Sequence, residues 1–251
     1  MLRIVAVSKD SDVIRILCEL AGIKYDLYHN LTTVDAPETV YYARLIPNII
    51  ISKPEMSMWK LILKEQFPPT RTIRYCCSAL KEREGAGRFV MTGVRWAESG
   101  KRRKNWGSLN INAKKKVNSL ILNADNDENR RLFETCQTKG KRVLNPIVDW
   151  TDDEVWDFLR YYGCESNPLY KNGYTRVGCI GCPMAGKKNR ERDFINYPLY
   201  KNAYIKVFQK LVNTHCVNKH KNVWPSGEAV FDWWMRENPR VEVMDGQMEI
   251  E

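Results

Sequence analysis

Four cysteines in two tight groups, Cys76-Cys77 and Cys179-x-x-Cys182, carry the most readable chemistry in this 251-residue chain. Four thiolates are the complement of a tetrahedral zinc ion or of a four-iron cubane. Structural zinc usually draws paired cysteines two to four residues apart, because each pair must wrap around one small ion. Two directly adjacent ligands are strained on a single ion and spread more easily over two corners of a cluster, so the spacing favours 4Fe-4S over zinc. Gly178, Gly181 and Pro183 flank the second pair, where close backbone approach would point N–H groups at cluster sulfurs. Cys18 falls in an apolar helical pattern and reads as core. Cys136, Cys164 and Cys216 match no ligand spacing and read as structural.

A second group suits an anion. Leu2 to Val7 is a short apolar run, followed by Ser8-Lys9-Asp10-Ser11 and then by Val13, Ile14, Leu17, Leu20 and Ala21 at helical spacing. A strand, a phosphate-sized loop and a helix place hydroxyls, a lysine and backbone N–H groups at a positive helix end. The chain's balance agrees, since 40 Lys and Arg face 30 Asp and Glu for a net charge of +10. Such a charge attracts nucleotides, sulfate esters or a nucleic-acid backbone without choosing among them. No apolar run is long enough for a membrane span or a signal-peptide core, so a cytoplasmic protein with no membrane partner is expected.

The elements that must position these groups alternate. Strands are expected at Leu2 to Val7, Tyr25 to Asn30, Asn48 to Ser52 and Arg88 to Gly93. Helices are expected at Pro37 to Arg44 and Ser57 to Glu65. That alternation predicts an α/β fold, a parallel sheet with helices on both faces. Residues 101–116 hold seven basic residues and no acidic one, which suggests a surface loop that contacts solvent or an anion. Leu120 to Ala124 reads as a further strand. Thr151-Asp-Asp-Glu154 is a capping box that opens a helix to Tyr162. Residues 163–193, rich in Gly, Asn, Pro and Cys, read as irregular and ligand-holding. Two more helices, Leu199 to Asn213 and one from Ser226, carry aromatic stripes that suit a core. The expected division is a nucleotide-binding α/β core, 1–150, and a helical region, 151–251, supplying two of the cysteines.

Taken in order, the motifs are specific: Ser8-Lys9-Asp10-Ser11, Cys76-Cys77-x-x-Leu80-Lys81, Gly93-Val94-Arg95-x-x-Glu98-Ser99-x-x-Arg102, Asn145-Pro146-Ile147-x-Asp149-Trp150-x-x-x-Glu154-Val155-Trp156, Asn167-Pro168-Leu169-Tyr170 and Gly178-Cys179-x-x-Cys182. This series resembles the phosphoadenosine phosphosulfate (PAPS) reductase family, from Val5 to about Trp234. The resemblance implies an adenine-nucleotide α-hydrolase-like fold, with a parallel five-stranded sheet and the nucleotide across its C-terminal strand ends. It implies a PP-loop at Ser8, Lys9, Asp10 and Ser11, with Gly93 in the motif beside it. Thr32, Thr33 and Asp35 would lie near ribose or adenine, and Arg95 and Arg102 would contact the anionic end of the substrate. Lys81 would stand between a 4Fe-4S cluster on Cys76, Cys77, Cys179 and Cys182 and the sulfo group.

Two departures stand out. The family's loop reads Ser-Gly-Gly-Lys-Asp-Ser; here both glycines are missing, which reads as a two-residue deletion that shortens the phosphate cradle. The family's Glu-Cys-Gly-x-His segment, whose Cys attacks sulfur, has no counterpart after Cys216, the one late candidate nucleophile. The first functional expectation is therefore an iron-sulfur enzyme that binds adenylyl sulfate, PAPS or ATP and carries out thiol-dependent sulfur chemistry with a thioredoxin-like or other thiol reductant. The second is an ATP-dependent PP-loop enzyme of DNA phosphorothioation or tRNA thiolation, contacting nucleic acid through residues 101–116. The third is a degenerate, non-catalytic nucleotide-fold protein. A homo-oligomer is compatible with all three.

Overall fold

The structure is a computed structural model that describes residues 2–5, 7–81, 89–112, 120–122, 141–216 and 224–236. Its contacts divide the chain into two compact units that interleave in sequence. One comprises residues 1–30, 37–52 and 84–177, the other 31–36, 53–83 and 178–251. The units are therefore drawn differently from a single boundary at residue 150: residues 151–177 group with the sheet, and 31–36 and 53–83 group with the later cysteines.

The first unit is built on a seven-stranded sheet of order β3-β2-β1-β4-β7-β5-β6. Its strands are β1 (Leu2–Val5), β2 (Tyr25–Asn30), β3 (Ile49–Ser52), β4 (Phe89–Met91), β5 (Leu109–Asn112), β6 (Leu120–Leu122) and β7 (Lys141–Leu144). The five strands β3-β2-β1-β4-β7 are all parallel, in register Ile4 with Leu27 and Met91, and Val90 with Val143. This is the parallel α/β sheet expected from the alternation, with the five parallel strands that the resemblance implies. β5 and β6 add an antiparallel extension beyond β7. Parallel strands are covered on both faces and so read as apolar runs. Ile4, Leu27 and Met91 accordingly bury against Val13, Ile14 and Ile16 of helix α1 (Lys9–Leu20) and against Val155 and Leu159 further along the chain. Helix α2 (Pro37–Leu45) contributes Ala43 to the same core.

Two local features were misjudged from composition. Residues 100–112 hold two ordered elements rather than a loop: α4 (Gly100–Asn105), whose N-terminus is capped by Ser99, and β5. The asparagine-rich strand Leu109–Asn112 is held because Asn110 is satisfied inside the protein, its Oδ1 accepting from Gly107 N and from Asn145 Nδ2 at 3.1 and 3.0 Å. Lys114, Lys115 and Lys116, like Cys136, lie outside the described residues. The segment 163–193 is irregular only in part, because its end enters helix α6 (Lys187–Asn196). The capping box at Thr151 is formed as expected and starts α5 (Asp152–Tyr161).

The second unit is helical. It contains α3 (Met58–Glu65), α6 (Lys187–Asn196), α7 (Pro198–Leu211) and α8 (Gly227–Met235). The aromatic stripes form its core. Tyr204, Phe208, Phe231 and Trp234 are buried, with Tyr204 and Trp234 ring centroids 4.8 Å apart and Trp59 edge-on to Tyr204 at 4.9 Å. Among the described residues no helix is long and apolar enough to cross a membrane.

Candidate functional site

In the first unit the strand order reverses between β1 and β4, since β2 lies on one side of β1 and β4 on the other. Ligands of open α/β sheets bind outside the carboxyl ends of strands at such a switch point. The segment leaving β1 is Val7-Ser8-Lys9-Asp10-Ser11, and the one leaving β4 holds Gly93 and Arg95. Val7 has φ 104°, in the region that favours glycine, although it is β-branched. Ser8, which follows it as the N-cap of α1, is extended at φ −128°.

The loop's donors are largely occupied from within. Ser11 Oγ accepts from Val7 N and Ser8 N at 3.0 and 2.8 Å and donates to Ser8 O at 2.7 Å. Gly93 is required by contact: a Cβ there would lie 2.4 Å from Asp10 Cβ. Arg95, only 2% exposed, donates through Nε to Asp10 Oδ1 at 2.7 Å, through Nη1 to Trp150 O at 3.2 Å and through Nη2 to Asp152. The buried Lys9 also pairs with Asp152, and its ammonium lies 5.3 Å from the Trp156 ring. Tyr170 Oη accepts from Lys9 N at 3.3 Å. Arg102 pairs with Glu98. Burial pulls the Arg102 guanidinium below its usual range, and the nearby Arg176 adds to the effect.

Four cations, Lys9, Arg95, Arg102 and Arg176, therefore gather at the switch point, and Asp10 and Asp152 offset the two that are buried. Partial burial would raise the Asp152 carboxyl, but its bonds to Lys9 and Arg95 outweigh it and hold the pKa below the ordinary range. Asp152 was legible in the sequence only as part of the capping box. Its second role follows from the packing of α5, which no local pattern predicts. Asp12, one turn into α1, is buried and its pKa is pushed up to about 6 by that burial, against bonds from Ser166 and Tyr42.

Thr32, Thr33 and Asp35 belong to the other unit, with the cysteines. Asp35 accepts from Thr32 N and Thr32 Oγ1 at 2.6 and 2.8 Å and forms a β-bridge with Cys179. Cys179 Sγ donates to Thr32 Oγ1 at 3.4 Å, and Thr33 Oγ1 accepts from Met58 N at 2.9 Å. Gly181 has φ +68°, and a Cβ there would lie 2.3 Å from the Phe194 ring. By contrast a Cβ on Gly178 would meet nothing, so close approach explains only one of the two glycines.

Cys76, Cys77, Cys179 and Cys182 lie close enough to act on one another. Its bond to Cys77, then burial, then the fields of Cys77, Cys179 and Cys182 push the Cys76 thiol well above its usual range. Burial likewise raises Cys179, opposed first by Lys81. The Lys81 ammonium is held above its ordinary range chiefly by Cys179, with Cys182, Asp35 and Cys77 adding to it against desolvation. Four thiol side chains from two distant segments are thus brought near one another, a sulfur-rich donor set of the kind that iron or zinc favours. As they stand, no three His, Cys, Asp or Glu side chains among the described residues are arranged to hold one metal ion. The side chain of Cys216 is outside the described residues.

A family model described as phosphoadenosine phosphosulfate reductase domain matches residues 3–185. The chain is 38% identical over 61 residues to an uncharacterized 37.8 kDa protein of Escherichia phage 186, covering 24% of this chain and 18% of that one. It is 41% identical over 46 residues to adenosine 5'-phosphosulfate reductase of Allochromatium vinosum, covering 18% of each. These stretches span about a fifth of the curated relatives they match. Among solved structures, the phosphoadenylyl-sulfate reductase of Candida auris in its phosphate complex aligns over 71% of this chain and 80% of its own, at 17% identity and a TM-score of 0.46.

Proposed function

Since this chain belongs to the phosphoadenosine phosphosulfate reductase family, we propose that it binds an adenine nucleotide carrying sulfate or phosphate at the β1–β4 switch point and carries out thiol-dependent sulfur chemistry on it. The observation that supports this most is the gathering of Lys9, Arg95, Arg102 and Arg176 at the carboxyl ends of two adjacent parallel strands on either side of the reversal. Guanidinium forks suit the oxygens of phosphate and sulfate, and a partly dry site strengthens those bonds. Asp152 is 66% exposed, so it can leave Lys9 and Arg95 when an anion arrives. Ser8 and Ser11 then orient the loop, and Thr32, Thr33 and Asp35 are proposed to serve ribose or adenine recognition.

Cys76, Cys77, Cys179 and Cys182 are proposed to hold a 4Fe-4S cluster, which would tune the electrostatics beside the sulfo group. Lys81, whose proton is retained by the thiols around it, is the proposed partner of that group. In the reaction a thiolate attacks the sulfur of the sulfo group, the sulfur–oxygen bond to the nucleotide breaks, and the nucleoside phosphate leaves. A second thiol then attacks the thiosulfonate sulfur of the first, releasing sulfite and leaving a disulfide. The electrons come from the two thiols, of which Cys216 or an external thioredoxin-like reductant supplies the first.

The test is anaerobic incubation with adenylyl sulfate or PAPS and a dithiol, followed by sulfite measurement. Sulfite release that Cys216→Ser abolishes would place the attacking thiol in this chain, and release that it leaves intact would place it on the reductant. No release from either nucleotide would remove the reductase reading.

A further inference from the structure

We propose that the cleft at the start of α6 is a binding site for a phosphate-class oxyanion, separate from the nucleotide site and independent of that reading. The walls of this cleft include Thr70, Arg71, Gly186, Lys187, Arg190 and Trp234, all in the helical unit. The central feature is Arg190. Only 4% exposed, it donates from Nη1 to Trp234 O at 2.8 Å, and its guanidinium carbon lies 4.2 Å from the Trp234 ring centre. Its Nε and Nη2 are buried and have no hydrogen-bond partner among the described residues.

Those two nitrogens form the edge of the guanidinium that takes two oxygens of a phosphate or carboxylate side by side. Leaving such donors buried and unpaired costs free energy that a bound oxyanion would remove. The start of α6 adds to the same field. Its N-cap is Gly186, which offers no side chain, so the first backbone N–H groups of a 10-residue helix open beside Arg190. Arg71 and Lys187 stand exposed on the rim and add positive charge.

The neighbouring negative groups do not close this edge. Asp193 acts on Arg190 electrostatically, but its Oδ2 accepts from Gly181 N at 3.1 Å, and Glu191 lies 3.9 Å from Lys187 on the exposed face of the helix. Tyr204 and Cys182 also face Arg190, while Arg71 repels it. Burial draws the Arg190 guanidinium down to about 10, which leaves it charged at neutral pH. A trigonal carboxylate would satisfy the fork alone. A tetrahedral phosphate offers further oxygens for the helix N–H groups and for Arg71 or Lys187, so phosphate is the better occupant. It can arrive free, as a monoester, or within a phosphodiester backbone.

The experiment is calorimetric titration of the full-length, anaerobically prepared protein with inorganic phosphate at fixed ionic strength, with chloride as the control. Wild type should bind one more phosphate than Arg190→Gln. The double variant Arg71→Gln/Lys187→Gln should bind at that site about tenfold more weakly, the loss expected of charge-assisted contacts. Both rim side chains are exposed, so the double variant should unfold at the wild-type temperature. This keeps the test open if Arg190→Gln does not fold. Displacement of phosphate by a short oligonucleotide lacking terminal phosphate would assign the site to a nucleic-acid backbone; failure to displace would assign it to free phosphate or a monoester. Identical phosphate isotherms in wild type and the double variant would overturn the proposal, whatever the nucleotide site does.

Discussion

Replacing Asp152 by Asn should strengthen nucleotide binding, although it removes a residue of the site. In the structure Asp152 occupies the donors of Lys9 and Arg95 that an anionic substrate would use. The incoming phosphate or sulfate must displace this carboxylate and then remain near its charge. Because Asp152 is 66% exposed, water screens it strongly. At an effective dielectric of roughly 50 and a separation of about 6 Å, the repulsion removed is about 1 kcal/mol, a gain of roughly five- to tenfold in affinity. The substituted side chain would remain a weak competitor through its amide oxygen, so the gain should not be larger. Calorimetry with adenylyl sulfate measures it, and adenosine, which carries no anion, should bind both proteins equally. The variant should unfold slightly more easily, by roughly 0.3–1 kcal/mol, because Asp152 also complements the dipole at the start of α5. An unchanged or weakened affinity for adenylyl sulfate, with adenosine unaffected, would refute the claim that Asp152 competes with substrate.

Single Ser substitutions at Cys76, Cys77, Cys179 or Cys182 should each lower the iron content of anaerobically prepared protein from about four per chain and reduce thermal stability, because a cluster held by two distant segments contributes folding free energy. Iron content equal to wild type in any of the four would strike that residue from the ligand set. Gly93→Ala should cost about 1–3 kcal/mol in denaturant unfolding, because its methyl group must enter the space of Asp10 Cβ, 2.4 Å away; a neutral effect would show that α1 yields at little cost. Asp12→Asn tests the buried carboxyl whose pKa is raised to about 6. A raised folded-state value means that the wild type loses stability as pH climbs from about 4 through about 6, so the variant should be more stable at pH 7 by up to about 3 kcal/mol and no different near pH 3. Parallel stability curves for the two proteins from pH 4 to 7 would contradict this.

Much of the scaffold was legible because its signals are local. The apolar run at Leu2–Val5, the capping box at Thr151 and the aromatic spacing at Tyr204 and Phe208 each report a period or a cap that the fold then uses. β5 was not legible, because its asparagines are stabilised by Asn145, 35 residues away, and no local window contains that partner. The basic composition of residues 101–116 pointed toward solvent, whereas Ser99 caps a short helix there. At the site, Lys9 and Arg95 stood out as candidate anion ligands through the resemblance. Their pairing with Asp10 and Asp152 depends on where α5 packs against α1, so it appears only in three dimensions. Arg190 carried no motif at all; its significance lies in two unpaired nitrogens, which a sequence cannot display.

The central claim is that the β1–β4 switch point binds the anionic part of an adenine nucleotide, and it is tested most directly by calorimetry on wild type and Arg95→Ala under anaerobic conditions. Arg95 supplies the buried fork of the site, and charge-assisted hydrogen bonds contribute roughly 1.5–3 kcal/mol each. The account predicts that Arg95→Ala binds adenylyl sulfate more than tenfold less tightly while adenosine affinity stays at the wild-type value. Equal affinity of both proteins for adenylyl sulfate would contradict it.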